Sequence, residues 1–424
     1  MNVLIVGTGG RESAIAWKIS QSKLLTKLFI APGNPGTEAF GENVNIAVDN
    51  FPKLAAFALE NKIELIVVGP EVPLVLGIKD FFNSNAETKH ISIIGPDRKG
   101  AQLEGSKDFS KDFMKKYGIP TAAYATFTKD NLQEGLKYLE TQTPPFVLKA
   151  DGLAAGKGVI ITSDLAEAQA TLTEMISNLK FGEASAKVVI EAFLSGIEVS
   201  VFALTDGKNY IILPEAKDYK RIGEGDTGPN TGGMGAVSPV PFADKVFMQK
   251  VEEKIIKPTI EGLQKENIDY RGFIFFGLIN VANEPWVIEY NCRMGDPETE
   301  VVMPRIKSDF LEILSKVASQ ELNKVQIEFE DHAATTVMCV AGGYPDEYSK
   351  GDVITGFENL EDVLPFHAGT KKNEKGEIVT NGGRVIAMTA LGKTKEEALA
   401  KSKKAAETIA WKDKYFRSDI GFDL

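Results

Sequence analysis

The sequence predicts a multidomain protein with an α/β first domain and α+β parts after it. At 424 residues the chain is too long for one ordinary hydrophobic core, so two to four domains are expected. Short apolar segments alternate with helical stretches over about the first hundred residues, whereas residues from about 188 to 310 are richer in strand. Strands that alternate with helices predict a parallel, doubly wound sheet, which binds ligands at the carboxyl ends of its strands.

The predicted elements follow the chain in three blocks. The first block has a helix at 51–61 and four strands, each closed by glycine or proline, at 3–6, 28–31, 65–68 and 91–94. The second block has a helix at 107–117 and strands at 188–190, 198–204, 210–213, 272–281 and 286–290. The third block has a helix at 309–320, a polar stretch ending near residue 331 that is predicted to be a linker, strand regions at 335–340 and 383–391, and a helix at 395–409.

Composition and charge exclude several classes of protein. A net charge of -11 disfavours nonspecific binding to nucleic acid, which depends on excess lysine and arginine. Two cysteines, Cys292 and Cys339, argue against a disulfide framework or a cysteine zinc site. No apolar run approaches the roughly twenty residues that a membrane-spanning helix needs. The first residues, MNVLIVG, show no cationic leader, so we expect a cytoplasmic enzyme or binding protein without a membrane partner.

A glycine turn follows the first predicted strand, in the sequence Gly7-Thr-Gly9-Gly10-Arg-Glu12. The dinucleotide fingerprint requires glycine at position 12, so a nicotinamide or flavin dinucleotide is disfavoured. A turn of small residues at a helix N-terminus still offers free N–H donors to a single phosphate. An ordinary tight turn explains the same glycines equally well.

Residues 147–159, VLKADGLAAGKGV, are similar to a phosphate-binding loop, because apolar residues are followed by glycines and a lysine. The Walker A pattern fails, because the spacing of its glycines is wrong and Lys157 is followed by Gly158 instead of serine or threonine. What remains is a glycine loop able to cover phosphates, with Lys149 as a fixed cation on the preceding strand. Without support elsewhere in the chain, a plain glycine-rich turn would be the better interpretation.

That support comes from residues 286–293, WVIEYNCR. Alternate residues of an extended strand share a face, so Glu289, Asn291 and Arg293 are predicted to point one way, and Ile288 and Tyr290 the other. A carboxylate and an amide oxygen side by side suit magnesium that bridges nucleotide phosphates. A structural salt bridge of Arg293 is the alternative, which the acidic loop at 294–300 makes less attractive.

Two more stretches fit a nucleotide site. Glu191 ends an apolar strand, where the backbone that follows could read an adenine edge, and Glu198 lies within reach of a ribose. Either glutamate could equally be a solvated strand end. The glycine-rich residues 223–235 are not expected to form a regular helix or strand. A loop of this length is usually a functional lid or a linker, and the apolar strands on both sides disfavour a linker.

Taken together, the motifs resemble those of the phosphoribosylamine-glycine ligases, or glycinamide ribonucleotide synthetases, a family of the ATP-grasp superfamily. Ten motifs occur in order along nearly the whole chain: GGRE near the start, APGNPGT at 31–37, VGPEVPL at 68–74, LEGSKDFSKDF at 103–113, KADGLAAGKGV at 149–159, DTGPNTGGMGA at 226–236, EYNCRMGDPETE at 289–300, AGGYP at 341–345, HAGT at 367–370 and TNGGRV at 380–385.

The resemblance implies a domain organisation and a reaction. The domains would be a Rossmann-like preATP-grasp domain at 1–103, an ATP-grasp body at 104–122 and 190–327, a small lid at 123–189, and a C-terminal α+β domain at 328–424. The reaction would join glycine to 5-phosphoribosylamine through glycyl phosphate, giving glycinamide ribonucleotide, ADP and phosphate in the second step of purine synthesis. Magnesium, or manganese, would be the cofactor, with ATP as cosubstrate and the chain acting as a monomer.

The resemblance also implies roles for individual residues. Expected at the ATP site are Lys107, Lys149, Gly152, Gly156, Lys157, Gly158, Glu191, Leu194 and Glu198, with Glu289 and Asn291 on the metal. Expected on the substrates are Gly9, Gly10, Asn34, Asp218, Asn230, Thr231, Gly232, Gly233, Arg293 and Asp296. Within that set Arg293 and Asp218 are the expected catalytic residues. Arg293 would hold the glycine carboxylate, because a planar guanidinium matches a carboxylate bidentately. The substrate phosphate would lie at the Gly9-Gly10 turn, near Asn34.

The sequence departs from the family pattern at two positions, Ser13 and Tyr219, where histidine is usual. Activity is expected to survive, because neither is among the nucleotide or magnesium residues. Two other functions are alternatives to the ligase. A biotin-dependent carboxylase would share the nucleotide residues, but the motifs of the first domain and the 226–236 loop speak against it. A nucleotide sensor without chemistry would have no need of Arg293.

Overall fold

The N-terminal domain is a parallel sheet made from the predicted apolar strands. A computed structural model describes residues 1–154 and 157–424. The elements of this domain are β1 (Asn2–Gly7), α1 (Gly10–Ser20), β2 (Lys27–Pro32), β3 (Glu42–Asn43), α2 (Phe51–Glu60), β4 (Leu65–Val68), α3 (Glu71–Val75), α4 (Ile78–Ser84) and β5 (Ser92–Pro96). The strand order is β3-β2-β1-β4-β5, with all neighbours parallel. Residues 3–6 of β1 are fully buried, as a strand covered on both faces requires.

Two short helices lead into a small antiparallel layer with a core of its own. They are α5 (Gln102–Gly105) and α6 (Lys107–Lys116), and the layer contains β6 (Tyr124–Thr128), α7 (Leu132–Glu140), β7 (Phe146–Ala150), β8 (Val159–Thr162), α8 (Leu165–Ser177), β9 (Lys180–Glu183) and β10 (Lys187–Glu191). Its sheet has the order β6-β10-β7-β8. Phe127, Leu148 and Leu172 belong to a hydrophobic cluster confined to this layer. The layer lies where the lid domain is predicted.

The body of the molecule is an antiparallel sheet with helices. Its elements are β11 (Ile197–Thr205), β12 (Tyr210–Asp218), β13 (Arg221–Gly223), β14 (Thr227–Asn230), β15 (Gly235–Ser238), α9 (Lys245–Val251), α10 (Lys257–Lys265), β16 (Tyr270–Val281), β17 (Glu284–Asn291), α11 (Thr299–Arg305) and α12 (Phe310–Ala318). A π-helical turn, Glu252–Ile256, joins α9 to α10. The stretch predicted as a linker is fastened to this body, because Leu322 is buried in the main core and Lys307 N–H donates to the Glu328 carbonyl.

The C-terminal part adds strands to the same sheet and covers them with one long helix. Its elements are β18 (Ala333–Val340), β19 (Leu364–His367), β20 (Thr370–Lys372), β21 (Ile378–Thr380), β22 (Arg384–Gly392) and α13 (Lys395–Thr408). β18 pairs with β22 along its whole length, which explains the two apolar strand regions seen in the sequence. Each strand and helix predicted from the sequence is present in the structure. The prediction that residues 223–235 form no regular strand is wrong, because Thr227–Asn230 is a strand that pairs with β13.

One continuous sheet connects the N-terminal, body and C-terminal parts. Within the described residues it has the order β19-β22-β18-β15-β12-β11-β16-β5-β4-β1-β2-β3, with β17 paired to β16. Its parallel and antiparallel portions meet where Tyr270 of β16 opposes Pro96 of β5. The carboxyl end of β5 is thereby hydrogen-bonded to the body sheet. In residues 1–154 and 157–424 we find no helix with the length and apolar character to cross a membrane.

Candidate active site

A cleft of about 510 Å³ lies between the small antiparallel layer and the body sheet. A second cavity of about 180 Å³ shares part of its wall and extends toward α5 and α6. The predicted site residues that line these two cavities are Lys107, Lys149, Gly152, Gly158, Glu191, Leu194, Glu198, Asp218, Asn230, Thr231, Gly232, Glu289, Asn291, Arg293 and Asp296. Cavities of this size hold small ligands. Residues from six separate stretches of the sequence are therefore brought together.

Two buried lysines converge on Glu191 at one side of the cleft. Lys111 Nζ lies 2.9 Å from Glu191 Oε2, and Lys149 Nζ lies 3.0 Å from Glu191 Oε1, although the second pair lacks hydrogen-bond alignment. Burial opposes the charge on Glu191, but the two lysines outweigh it and lower the pKa of the carboxyl group. Burial lowers the pKa of Lys111 to about 8, with partial opposition from Glu191. Glu191 thus holds Lys149 in place, and its one carboxylate is shared between Lys149 and Lys111.

The glycine loop after β7 is tied to the first turn of α6. Asp151 accepts the Asp108 backbone N–H at 2.8 Å and the Ser106 hydroxyl at 3.0 Å, so it caps the helix that carries Lys107. Burial lowers the pKa of the Lys107 ammonium, opposed most by Glu289. Lys157 is exposed and does not line either cavity. Gly156, which was also predicted at the ATP site, lies outside the described residues.

Glu289 and Asn291 lie side by side at the end of β17. Asn291 Nδ2 is 3.5 Å from Glu289 Oε1, and both side chains line both cavities. Within the described ranges there is no group of three or more His, Cys, Asp or Glu residues able to hold a metal ion without help. One carboxylate and one amide oxygen form a donor set that suits a hard divalent cation sharing its other ligands with substrate phosphates.

One detail of the predicted strand face is wrong. Ile288 was expected on the face opposite Glu289, but it lines the cavities together with Glu289. The cause is a β-bulge: Gly277 opposes Glu289 while Leu278 opposes Val287, so Ile288 has no partner. The bulge also frees the Ile288 carbonyl, which accepts Lys149 Nζ at 3.4 Å.

Arg293 enters the cleft beside the metal pair and is held by carboxylates from the N-terminal part. Its Nη2 donates to Glu104 Oε1 at 2.6 Å, and its Nε lies 3.5 Å from Glu71 Oε2 without a hydrogen-bond partner. Burial raises the pKa of Glu104, and Arg293 opposes that rise. The salt bridges come from Glu104 and Glu71, not from the acidic loop at 294–300. One buried N–H group of the guanidinium therefore remains available to a ligand.

Lys220 pairs with two carboxylates of the cleft, and a third carboxylate, Glu298, lies nearby. Lys220 Nζ lies 2.6 Å from Glu198 Oε2 and 3.1 Å from Asp218 Oδ1, and the attraction of Lys220 lowers the pKa of Glu198. Glu298 is buried and accepts the Ser200 hydroxyl at 2.9 Å. Burial and the neighbouring Asp218 raise the pKa of Glu298 to about 7. The cleft therefore holds carboxylates of two kinds, one set paired with a cation and one, Glu298, with a raised pKa.

The glycine-rich loop closes the far end of the cleft and is held there by Arg384. Arg384 Nη1 donates to the Gly232 carbonyl at 2.6 Å and to the Asp296 carbonyl at 2.8 Å, and its Nη2 lies 2.9 Å from Asp296 Oδ1. Arg384 comes from the C-terminal part, so that part supplies a cation to the cleft. Gly233, predicted to bind substrate, does not line either cavity.

The structure does not support the predicted phosphate site at the Gly9-Gly10 turn. The Gly9 N–H is taken by Glu12 Oε2 at 2.5 Å, and a Cβ at Gly10 would lie 2.3 Å from Glu300 Oε1. Neither glycine lines the cavities. Two nearby carboxylates and a satisfied N–H make the turn a poor site for a phosphate.

Asn34 is likewise used within the fold. Its Nδ2 donates to the Thr8 carbonyl at 2.7 Å and to the His367 carbonyl at 2.9 Å, while its Oδ1 accepts the Gly36 N–H at 2.8 Å. It is 4% exposed and does not line either cavity, so the expected contact with substrate is not supported by its position.

Several residues of the cleft were missed from the sequence. They are Arg11, Glu71, Glu104, Lys111, Ser200, Lys220, Glu298 and Arg384. Arg11, Glu71, Glu104, Lys111, Glu298 and Arg384 lie inside the motifs quoted above, and Lys220 follows Tyr219, so the signal was present as charged residues in glycine-rich or apolar surroundings. Ser200 lies in an apolar strand and gave no such signal.

The two departures from the family pattern lie away from the cleft. Ser13 donates its hydroxyl to the His367 carbonyl at 2.7 Å, and Tyr219 donates to Asp423 Oδ1 at 2.7 Å. Both are 1% exposed, and neither lines the cavities. Their side chains therefore serve packing between parts of the fold.

The fold and the cleft define an ATP-grasp ligase, a class that uses ATP with a divalent metal ion. Family models for phosphoribosylglycinamide synthetase match three parts of the chain: the N domain at residues 1–104, the ATP-grasp (A) domain at 105–299 and the C domain at 334–423. The chain belongs to the phosphoribosylglycinamide synthetase family.

Known proteins agree with this membership over the full length. The chain is 47% identical over 427 residues to a phosphoribosylamine–glycine ligase of Vibrio vulnificus, covering 100% of this chain and 98% of that protein. A relative of the same name from Pasteurella multocida is 46% identical over 426 residues, with the same coverage of both chains. A crystal structure of the Thermotoga maritima phosphoribosylamine–glycine ligase matches with a TM-score of 0.84 and 36% identity, covering 99% of this chain and 100% of that one.

A more distant structure shares the fold alone. The biotin carboxylase domain of Hydrogenobacter thermophilus 2-oxoglutarate carboxylase has a TM-score of 0.73 at 19% identity, over 97% of this chain and 90% of that one.

Proposed function

We propose that this chain joins glycine to 5-phosphoribosylamine at the expense of ATP, giving glycinamide ribonucleotide, ADP and phosphate. The observation that carries the proposal is the meeting, in one cleft, of Lys149, the Glu289–Asn291 pair, Arg293 and the loop held by Arg384. This arrangement supports a nucleotide at one end and an amine acceptor at the other. The substrates are small molecules, and we propose that the chain acts as a monomer in the cytoplasm.

ATP is needed because a carboxylate oxygen is a poor leaving group. The glycine carboxylate attacks the γ-phosphorus of ATP, ADP leaves, and glycyl phosphate forms. The amine of phosphoribosylamine then attacks the glycyl carbonyl carbon, phosphate leaves, and the nitrogen loses a proton. The task of the protein is mainly positioning and charge neutralisation.

The nucleotide would lie between the small layer and β17. Lys107 and Lys149 would bind its phosphates under the glycine loop, and Glu198 would accept a ribose hydroxyl. Because the Glu191 carboxylate is shared by two lysines, we assign the reading of adenine to the backbone near Leu194 and give Glu191 the role of holding Lys149. Mg²⁺, or Mn²⁺ in its place, would be held by Glu289 and Asn291, and when bound it supplies positive charge against the phosphate oxygens.

Glycine would lie next to the metal pair with its carboxylate toward Arg293. The free Nε–H of that guanidinium supports the assignment, because a buried donor without a partner favours an acceptor. Glu104 holds the arginine in position through Nη2, and Glu71 Oε2 lies 3.5 Å from Nε without hydrogen-bond alignment.

Phosphoribosylamine would fill the remaining end of the cleft, beside Asp218 and Asn230–Gly232. Two cations line that end, Arg384 and Arg11, and the substrate phosphate is placed toward them and no longer at the Gly9-Gly10 turn. Asp218 and Glu298 face the same space and would lie near the amine.

One assay tests the proposal. Purified protein is incubated with ATP, Mg²⁺, glycine and freshly prepared phosphoribosylamine, and ADP release is measured with each substrate left out in turn. The expected result is ADP release that requires both glycine and phosphoribosylamine. Release that ignores glycine would show that the chain is not this ligase, and release with bicarbonate in place of glycine would favour a carboxylase.

A further inference from the structure

A two-stranded hairpin carries the cleft-lining loop and has little support of its own. β13 and β14 form a separate sheet of two strands, and all of Thr227–Asn230 is exposed. An isolated hairpin of this size is marginally stable in water. Asn230, the last residue of β14, lines the cleft together with Thr231 and Gly232, which follow it. Something outside the hairpin must therefore fix its position.

The C-terminal tail supplies that support through Arg417, which is fully buried. Its Nη1 donates to Asp226 Oδ1 at 2.7 Å, in the turn of the hairpin, and to the Arg221 carbonyl at 3.2 Å. Two more of its nitrogens donate to Asp419 at 2.8 Å. Asp419 in turn accepts the Gly225 N–H at 2.7 Å. Arg417 thus binds the carboxylate of Asp226 in the turn, and Asp419 binds the backbone N–H of Gly225 in the same turn.

Neighbouring contacts extend the same attachment. The Tyr415 hydroxyl donates to the Ile222 carbonyl at 3.0 Å. The Arg417 guanidinium lies 5.4 Å from the centre of the Tyr219 ring, and Tyr219 stands between the cleft residues Asp218 and Lys220 in the sequence. Arg417 itself does not line the cleft.

A buried guanidinium with two carboxylate partners favours one geometry strongly. Removal of Asp226 would leave the buried guanidinium with Asp419 alone, and removal of Arg417 would leave both carboxylates without their cation. The tail and the hairpin are therefore coupled, and displacement of one displaces the other. The contacts of Lys149, Glu289 and Arg293 lie on other elements, so this coupling acts mainly at the acceptor end of the cleft. Its one link to the proposed nucleotide residues is Lys220, next to the hairpin, which pairs with Glu198.

We propose that Arg417 is a positioning residue that fixes the Arg221–Asn230 hairpin and thereby sets the affinity of the cleft for phosphoribosylamine. The inference rests on the proposed function, since phosphoribosylamine is the ligand assigned to that end. The activation of glycine at the other end does not depend on Arg417.

The test compares the whole reaction with its first half. Glycyl phosphate is trapped with hydroxylamine as glycyl hydroxamate in the absence of phosphoribosylamine, which reports ATP and glycine alone. In Arg417→Gln we expect the KM for phosphoribosylamine to rise roughly tenfold, the effect of losing a charged hydrogen bond. The KM values for ATP and glycine, and the rate of hydroxamate formation, should stay within about twofold of the parent protein.

Matched variants show whether Arg417 acts through the hairpin. Asp226→Asn should raise the same KM, and the double variant should be little worse than either single one, because the two residues act as a unit. Arg417→Lys should restore part of the affinity. Lys412→Gln, an exposed substitution on the same tail, is the control and should change nothing. If Arg417→Gln does not fold, Tyr415→Phe removes one hairpin contact from a partly exposed residue and should raise the KM about twofold to threefold.

Two results would overturn the proposal. One is an unchanged KM for phosphoribosylamine in folded Arg417→Gln and Tyr415→Phe proteins. The other is an equal rise in all three KM values, which would mean a general loss of structure. Failure of the proposed function gives a different pattern: the parent protein would form no glycinamide ribonucleotide when ATP, glycine and phosphoribosylamine are all present.

Discussion

Lys149 Nζ lies 3.0 Å from Glu191 Oε1, across two antiparallel strands at diagonal positions. Lys149 pairs in register with Val189, so Glu191 is its neighbour two residues along on the same face. Lys111 approaches the same carboxylate from α6. The strand lysine is thus positioned before any ligand arrives, whereas Lys157 in the loop is exposed.

The first prediction separates these two lysines. Lys149→Gln should raise the KM for ATP at least about tenfold, because a fixed cation facing the phosphates is lost. Lys157→Gln is the matched control and should raise it less than about threefold. The measurement is the KM for ATP in the glycine-dependent hydroxamate assay. A larger effect at Lys157 would show that the loop lysine is the main cation for the ATP phosphates.

The second prediction concerns Glu289. Glu289→Ala should abolish turnover while the thermal midpoint of unfolding stays close to that of the parent, because a metal ligand is removed and no core contact is lost. Glu284→Ala, at the other end of the same strand and paired with Lys250 and Lys254, is the control and should stay active. Full activity of Glu289→Ala at limiting Mg²⁺ would show that the metal ligands lie elsewhere.

The architecture and one wall of the cleft followed from local sequence patterns. Val3–Val6 is a continuous apolar run, which a central parallel strand requires, and it is fully buried. Glu289 and Asn291 follow from the two-residue period of a strand. Each of these patterns lies within a few consecutive residues, so the strand and the face of its side chains can be predicted without knowing which strands pair.

The other wall depends on contacts between distant parts of the chain. Arg384 reaches Gly232 only because β15 pairs with β18 and β18 with β22, an order that no local period reveals. The Glu300 carboxylate beside the Gly9-Gly10 turn likewise comes from far along the chain, so no local pattern shows that the turn lies against an acid. The bulge at Ile288 depends on the partner strand as well.

The third prediction tests the glycine site. Arg293→Lys should raise the KM for glycine about tenfold, because lysine cannot hold Glu104 and a second carboxylate in one plane. The KM for ATP should change little. Glu104→Gln should have a smaller effect in the same direction, since it loosens the arginine without removing it. An unchanged KM for glycine in Arg293→Lys would move the carboxylate site elsewhere.

The fourth prediction is a pH dependence of stability that comes from Glu298. Its pKa of about 7 in the folded protein lies above the ordinary value of 4.5, so the folded state holds the proton more tightly. Stability should therefore fall as pH rises from 4.5 to 7 and level off above that, by at most about 3 kcal/mol. The groups facing Glu298 are Asp218, which raises its pKa, and Lys220, which opposes that rise.

Glu298→Gln should remove this loss, since the amide cannot ionise. The measurement is the urea midpoint of unfolding at pH 5 and at pH 8: the parent should lose more between the two than the variant does. Glu198→Gln is a control of opposite sign, because Lys220 lowers the pKa of Glu198 and its contribution disappears only as pH falls. If the parent and Glu298→Gln lose the same amount between pH 5 and 8, then Asp218 and burial do not hold the Glu298 proton, and the carboxylate enters the cleft already ionised.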